Sequence, residues 1–186
     1  MEMSGERLIG APRADVWEAL NDPEVLKACI PGCQEMERAG DNGFTATVKQ
    51  KVGPVSATFK GQVELSNIVP GESYTISGEG KGGAAGFAKG GADVALADTD
   101  GGTMLTYKVD AKVGGKLAQL GGRLIDGFAK KMADQFFSNF QTTVGGPTEP
   151  LEETPVPEAE ASASEAAENA DITEGEKKSW LGRILG

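Results

Sequence analysis

Two periods divide the chain. Between Phe44 and Val113 apolar and polar residues alternate one by one, and from Leu117 to Phe140 the apolar residues recur every three or four. The first pattern predicts strands with one covered and one wet face. The second predicts an amphipathic helix. That helix spans Gly114 to Thr142. Leu120, Leu124, Phe128, Met132, Phe136 and Phe140 stand four residues apart, and Leu117 and Ile125 widen the stripe. Gly145-Gly146-Pro147 ends it. It is the one long helix the sequence offers, and so wide an apolar stripe needs a large partner. Two glycine pairs, Gly114-Gly115 and Gly121-Gly122, weaken its first turns. Each glycine costs about 1 kcal/mol relative to alanine inside a helix. Close backbone packing is the expected reason; a segment built to yield is the alternative.

The rest of the chain supplies the partner. Glu2 to Ile9 reads as a first strand. Pro12 opens a short helix with Val16, Trp17 and Leu20 on one face. Asn21-Asp22-Pro23 breaks it and caps a second, with Val25, Leu26 and Ala28 inward, which Ile30-Pro31-Gly32 ends. Strands follow over Phe44–Val52, Val55–Leu65 and Tyr74–Gly82, then one through Ala92, Val94 and Leu96, then Leu105–Val113. Gly53-Pro54, Pro70-Gly71 and Asp98 to Gly102 mark turns. This order predicts an α+β fold, a curved antiparallel sheet gripping a long C-terminal helix, with two short helices after the first strand.

The inward strand positions are small. Ala46, Ala57, Gly61, Gly78, Gly80, Gly82, Ala84, Ala88, Ala92 and Ala111 stand where larger residues would fill a core. Small residues leave room between sheet and helix, and an apolar concavity is the default ligand site. Glycines that merely bend the sheet are the plainer alternative. The expected apolar wall is Phe44, Phe59, Tyr74, Ile76, Phe87, Leu117, Leu120, Leu124 and Phe128. The parity of Phe87 conflicts with that of Ala92 and Val94. Gln50 and Tyr107 would be polar groups inside, each needing a hydrogen-bond partner from a ligand or a trapped water.

Composition narrows the chemistry. The 186 residues hold 28 acids, 18 basic residues and no histidine, a net charge of −10. Residues 145–186 carry ten of the acids against Lys177, Lys178 and Arg183. No basic face with interleaved aromatics stands out, which argues against nucleic acid. Without histidine the commonest general base and metal ligand is missing. Cys29 and Cys33, spaced C-x3-C, read as structural thiols, with a redox or metal role as the lesser reading. The G-x-G-x-x-G at Gly78–Gly83 lacks the following helix that a dinucleotide site needs. No catalytic residue and no metal site are assigned. The N-terminus has no signal-peptide pattern, and no apolar run approaches the ~20 residues of a membrane span.

The tail changes character twice. Residues 145–175, rich in Pro, Glu, Ala, Ser and Thr, read as a disordered linker. Residues 176–186 form a short basic amphipathic segment. Trp180, Leu181, Ile184 and Leu185 share one side of a helical wheel, with Lys178 and Arg183 elsewhere and Lys177 at the start. Such a segment suits a membrane interface. A protein groove competes for it, and a frayed end is the plain alternative.

Trp17, DPEVLKACIPGC (22–33), VGPVSATFKGQVEL (52–65), the Gly80–Gly91 run and GGKLAQLGGRLIDGFAKKMADQFFSNF (114–140) resemble the carbon monoxide dehydrogenase G-subunit family. That family belongs to the START-like (SRPBCC) helix-grip superfamily of hydrophobic-ligand binders. The resemblance covers residues 1–144 and agrees with the fold read from the periods. It implies a non-enzymatic protein at the inner face of the cell membrane, cytoplasmic and peripheral. It implies a molybdenum-containing carbon monoxide dehydrogenase or related hydroxylase as partner, linked to the membrane quinone pool. A non-covalently held prenyl quinone such as menaquinone is the ligand this role suggests. The alternatives are a ligand-free tether or assembly factor, and a cyclase or hydrolase using Gln50 or Tyr107.

Overall fold

Ile9, Val16, Leu105 and Phe140 come from four different elements and meet where solvent is excluded. The computed structural model describes residues 1–145. Its strands are β1 (Glu2–Ile9), β2 (Cys33–Ala39), β3 (Gly43–Val52), β4 (Val55–Val69), β5 (Ser73–Lys81), β6 (Phe87–Thr99) and β7 (Gly102–Gly114). Its helices are α1 (Arg13–Leu20), α2 (Pro23–Cys29), α3 (Lys116–Gln119) and α4 (Gly122–Val144). The sheet runs β1-β7-β6-β5-β4-β3-β2 with antiparallel pairing throughout. Hairpins join β2 to β7 in sequence, and β1 closes onto β7 with Glu2 opposite Asp110 and Ile9 opposite Thr103. The curved sheet and the long helix are those the two periods predict.

The short helices form as the sequence indicates. The carboxylate of Asp22 accepts the Glu24 N–H at 2.8 Å, and Pro23 takes the first position of α2, where a missing N–H costs nothing. The inward face of α2 is one residue off: Cys29 is sealed and Ala28 is exposed. Together α1 and α2 wedge the C-terminal half of α4 against the sheet. Gln141 Oε1 accepts the Gly10 N–H at 3.1 Å, and Asn139 Nδ2 donates to the Cys29 carbonyl at 3.0 Å. The buried Thr103 hydroxyl donates to the Ala11 carbonyl at 2.7 Å, so its polar atom is satisfied without water.

Two features depart from the sequence reading. β2 is a strand that alternation did not reveal. In CQEMERA only Met36 is buried, and the register shifts between Cys33 and Glu35. It is an edge strand, where charged side chains and a bulge guard the free edge rather than line a core. The second departure is the long helix. Residues Gly114 to Thr142 are not one helix: β7 runs on to Gly114, α3 is a single turn, and the chain turns at Gly121 before α4 begins. The two glycine pairs divide the two explanations. A Cβ at Gly115 would stand 2.6 Å from the Cα of Gly86, so there the backbones do pack closely. A Cβ at Gly121 or Gly122 would meet nothing within 4 Å. Gly121 is needed for its conformation, φ +85 and ψ 148, a region only glycine occupies readily.

Candidate functional site: a hollow between sheet and helix

Each central strand closes at one end only. On β4, Leu65 is buried, while Ala57, Phe59, Gly61 and Val63 on the same face are half-buried. On β5, Tyr74 is buried, and Ile76, Gly78 and Gly80 are not. On β6, Val94 and Leu96 are buried, and Ala88, Gly90 and Ala92 are not. On β7, Leu105 and Tyr107 are buried, and Val109, Ala111 and Val113 are not. The register aligns these transitions across the sheet, since Leu65 pairs with Ile76, Tyr74 with Val94 and Leu96 with Leu105. Above them Phe140 is sealed, whereas Phe136, Met132 and Phe128 remain partly accessible.

The core is therefore split. A large cluster joins α1, α2, the end of α4 and the closed ends of the strands. A small cluster of Val52, Leu117 and Ile125, flanked by Val55, Phe59, Val113, Leu120 and Phe128, sits at the other end under α3 and the start of α4. Small residues lie between them. A Cβ at Gly80 would meet nothing within 4 Å, and one at Gly61 would first meet only strand backbone, at 3.4 Å. Most other inward glycines are closed: a Cβ would run into Val63 at Gly78, into the Phe59 ring at Gly82 and into the Asp110–Ala111 backbone at Gly90. Between the two clusters the inner face of the sheet carries half-buried residues, with open space beside Gly80.

The predicted wall residues distribute unevenly. Phe59, Leu117, Leu120 and Phe128 meet at the rim cluster, and Ile76, half-buried on β5, packs against the large core cluster. Phe44 and Tyr74 belong to the sealed core, Tyr74 edge-on to Trp17 at 5.5 Å. Tyr107 is also in that core, stacked on Phe137 at 5.1 Å. Phe87 is not in the inner wall. It lies on the outer face, 47% exposed, with its ring over Gly114, as its parity required. Leu124 is likewise a rim residue, 40% exposed and set against the Gly53 turn. Gln50 already has its partner, for its amide donates to the Pro31 carbonyl and ties the end of α2 to β3. Val113, Ile125 and Met132 are inner residues that the expected wall omitted; their place in the two periods is the signal that marks them.

Polar chemistry inside is sparse. The Cys29 thiol is buried and donates to Thr143 Oγ1 at 3.8 Å; burial pushes its pKa up, and that hydrogen bond pulls it partly back. Burial also raises the Cys33 thiol, against the pull of Lys27 and its bond to the Glu35 carbonyl. Raised thiols are poor nucleophiles. Burial pushes the Tyr74 phenol far above its ordinary range. At the open edge of β1, Arg7 pairs with Asp134 and lies 5.4 Å from the Phe137 ring, joining strand to helix. Among the described residues no group of histidine, cysteine or acidic side chains could hold a metal ion. Two open grooves of about 440 and 400 Å³ lie on the opposite, outer face; one is bordered by Glu35, Glu37, Lys60, Glu79 and Lys81, the other by Thr75, Asp93 and Lys108. No helix among the described residues is long and apolar enough to cross a membrane. The basic amphipathic segment, with Lys177, Lys178, Trp180, Leu181, Arg183, Ile184 and Leu185, lies outside the described residues.

Proteins of known structure share this architecture. A conserved protein from Geobacillus kaustophilus is similar with a TM-score of 0.73, at 30% identity over 77% of this chain and 95% of that one. A protein from Chromobacterium violaceum aligns at a TM-score of 0.61 and 14% identity, over 78% of this chain and 99% of that one. Ara h 8.0201 aligns at 0.54 and 15% identity, over 77% and 97%. The latter two show the fold alone, and that fold is the helix grip. No curated protein matches the sequence. The family model CoxG, described as the G subunit of carbon monoxide dehydrogenase, matches residues 5–145, so the chain belongs to the carbon monoxide dehydrogenase G-subunit (CoxG) family.

Proposed function

We propose that this chain is a non-enzymatic carrier of an apolar small molecule, held in the hollow between sheet and helix. In this reading it serves a molybdenum-containing carbon monoxide dehydrogenase or related hydroxylase. The observation that carries the reading is the split core. Large side chains seal one end of every central strand, while the inner residues beyond them stay half-buried, with no neighbour within 4 Å of a Cβ at Gly80. A protein that needed only a stable core would gain by filling that space, because buried apolar area stabilises at about 25 cal/mol per Å². The family description supplies the partner enzyme. The ligand of this reading is a prenyl quinone, whose apolar tail would lie against the half-buried inner residues, and the C-terminal basic segment, residues 176–186, would bring the carrier to the inner face of the membrane where such lipids reside.

Native mass spectrometry of the full-length protein from its own host, with lipid extraction in parallel, tests this. A stoichiometric prenyl quinone is the expected result. A clean apo mass that persists after incubation with quinone-loaded vesicles would leave a ligand-free tether as the better account.

A further inference from the structure

Residues 115–122 join β7 to α4, and they hydrogen-bond only among themselves and to the first turn of α4. The Ala118 N–H donates to the Gly115 carbonyl, the Leu120 N–H to that of Leu117 and the Gly121 N–H to that of Ala118. The Leu124 and Ile125 N–H groups donate to the Gly121 carbonyl. Among the described residues no strand group bonds to residues 116–122, and no side chain caps α3 or the start of α4. What fastens the segment is one side chain. Leu117 is 4% exposed and packs with Val52 and Ile125, flanked by Phe59 and Phe128. Lys116, Ala118 and Gln119 face water. The far end of α4 differs, with Phe140 sealed and Asn139 and Gln141 hydrogen-bonded to other elements. Few buried contacts and self-contained hydrogen bonds mark a segment that opens well below the cost of global unfolding.

The two ends of the segment are unlike. Gly115 and Gly121 both have left-handed backbone, at φ +73 and +85. At Gly115 the chain presses on Gly86, whereas a Cβ at Gly121 or Gly122 would meet nothing within 4 Å. One end is pinned, and the other has the space and the freedom to take up a rotation.

We infer that residues 115–122 are a strap that lifts Leu117 out of the small cluster while the sealed end stays folded. The inference rests on the carrier reading for its purpose: lifting uncovers Val52, Phe59 and Phe128 and gives an apolar ligand a way to the half-buried inner residues. The opening itself is read without any ligand.

The test uses the full chain with Cys33→Ser and Val52→Cys, which sets a thiol under Leu117. Cys29, sealed in the large cluster, is the internal standard. Iodoacetamide labelling of the two thiols is followed by peptide mass spectrometry. We expect labelling at position 52 to be at least a hundredfold faster than at Cys29. Leu117→Ser should speed it at least tenfold more and leave Cys29 unchanged. Gly122→Pro should slow it several-fold, because proline suits the first position of α4 and stiffens the free hinge. Equal rates at the two thiols, or an equal gain at both with Leu117→Ser, would mean that Val52 is reached only by global unfolding and would overturn the strap. Fast labelling at position 52 that ignores both Leu117→Ser and Gly122→Pro would put the opening in the β3–β4 hairpin and overturn it too. Strap-dependent labelling in a chain that never carries lipid would leave the strap standing and remove the carrier reading. A lipid-loaded chain that labels no faster at position 52 than at Cys29 would do the reverse.

Discussion

The sealed and hollow ends are made from the same central strands, yet they solve different problems. At the sealed end every strand contributes a large side chain, and Phe140, Ile9, Leu105 and Val16 interlock with almost no exposure. At the hollow end the strands mix glycine and alanine with half-buried Phe59, Val63, Ile76, Val109 and Val113, and the helix above contributes side chains that stay partly accessible. The helix itself changes with them. Its C-terminal half is latched to α2 and to Gly10 by hydrogen bonds from Asn139 and to Gln141. Its N-terminal end rests on a glycine turn and one short helical turn. One end thus carries the stability, and the other is free to hold something else.

The contrast is broken most severely at the sealed end. Phe140→Ala should cost about 3–5 kcal/mol, the range for a buried phenylalanine, and lower the urea midpoint sharply. Phe128→Ala at the hollow end should cost clearly less, because that ring is only half-buried. Equal losses would mean that the core is not split.

Gly121→Ala should cost about 1–3 kcal/mol, since it forces a Cβ into a conformation suited to glycine. Gly127 lies within α4 with open space around it, so Gly127→Ala should stabilise by about 1 kcal/mol in the same urea measurement. Opposite signs at these two glycines would locate the break in the helix at Gly121 alone.

Tyr74 sharpens the comparison by pH. Its folded-state pKa is raised by burial, so its protonated form favours folding. That contribution is full below the unfolded phenol value of about 10 and is lost as the pH climbs above it. Tyr74→Phe lacks the titrating group, so its alkaline unfolding midpoint should lie higher than that of the natural chain. A midpoint unchanged or lower would deny that Tyr74 is sealed.

The smallest effect on stability is expected at Gly80. A Cβ there meets nothing within 4 Å and valine suits a strand, so Gly80→Val should leave the stability within about 1 kcal/mol of the starting chain. Its effect belongs to function: occupancy by an apolar ligand should drop while the fold stays intact. Undiminished uptake in a folded Gly80→Val chain would remove the hollow from consideration.

Much of this was legible in the residues, and the misses have reasons. Alternation marked β3 to β7 because each has one covered and one wet face. It could not mark β2, whose edge position needs no apolar face and whose only buried residue is Met36. The parity of Phe87 already placed it off the inner face, and the Gly121-Gly122 pair already flagged a weak point in the long helix. Gln50 read as a polar group awaiting a ligand because its partner, the Pro31 carbonyl, lies nineteen residues earlier and outside any local pattern.

The sequence by itself determined which residues face inward and that a helix must cover them, because periods of 2 and 3.6 are local properties of the backbone. Which inward glycines are filled and which leave space was decided only by the tertiary structure. Gly80 is on β5 and Gly82 lies just past its end, yet they continue one sequence pattern. The ring of Phe59, reaching over from β4, occupies the space beside Gly82, and nothing reaches Gly80. Local chemistry fixes the direction of a side chain, but whether the space before it is filled depends on residues brought there from distant parts of the chain.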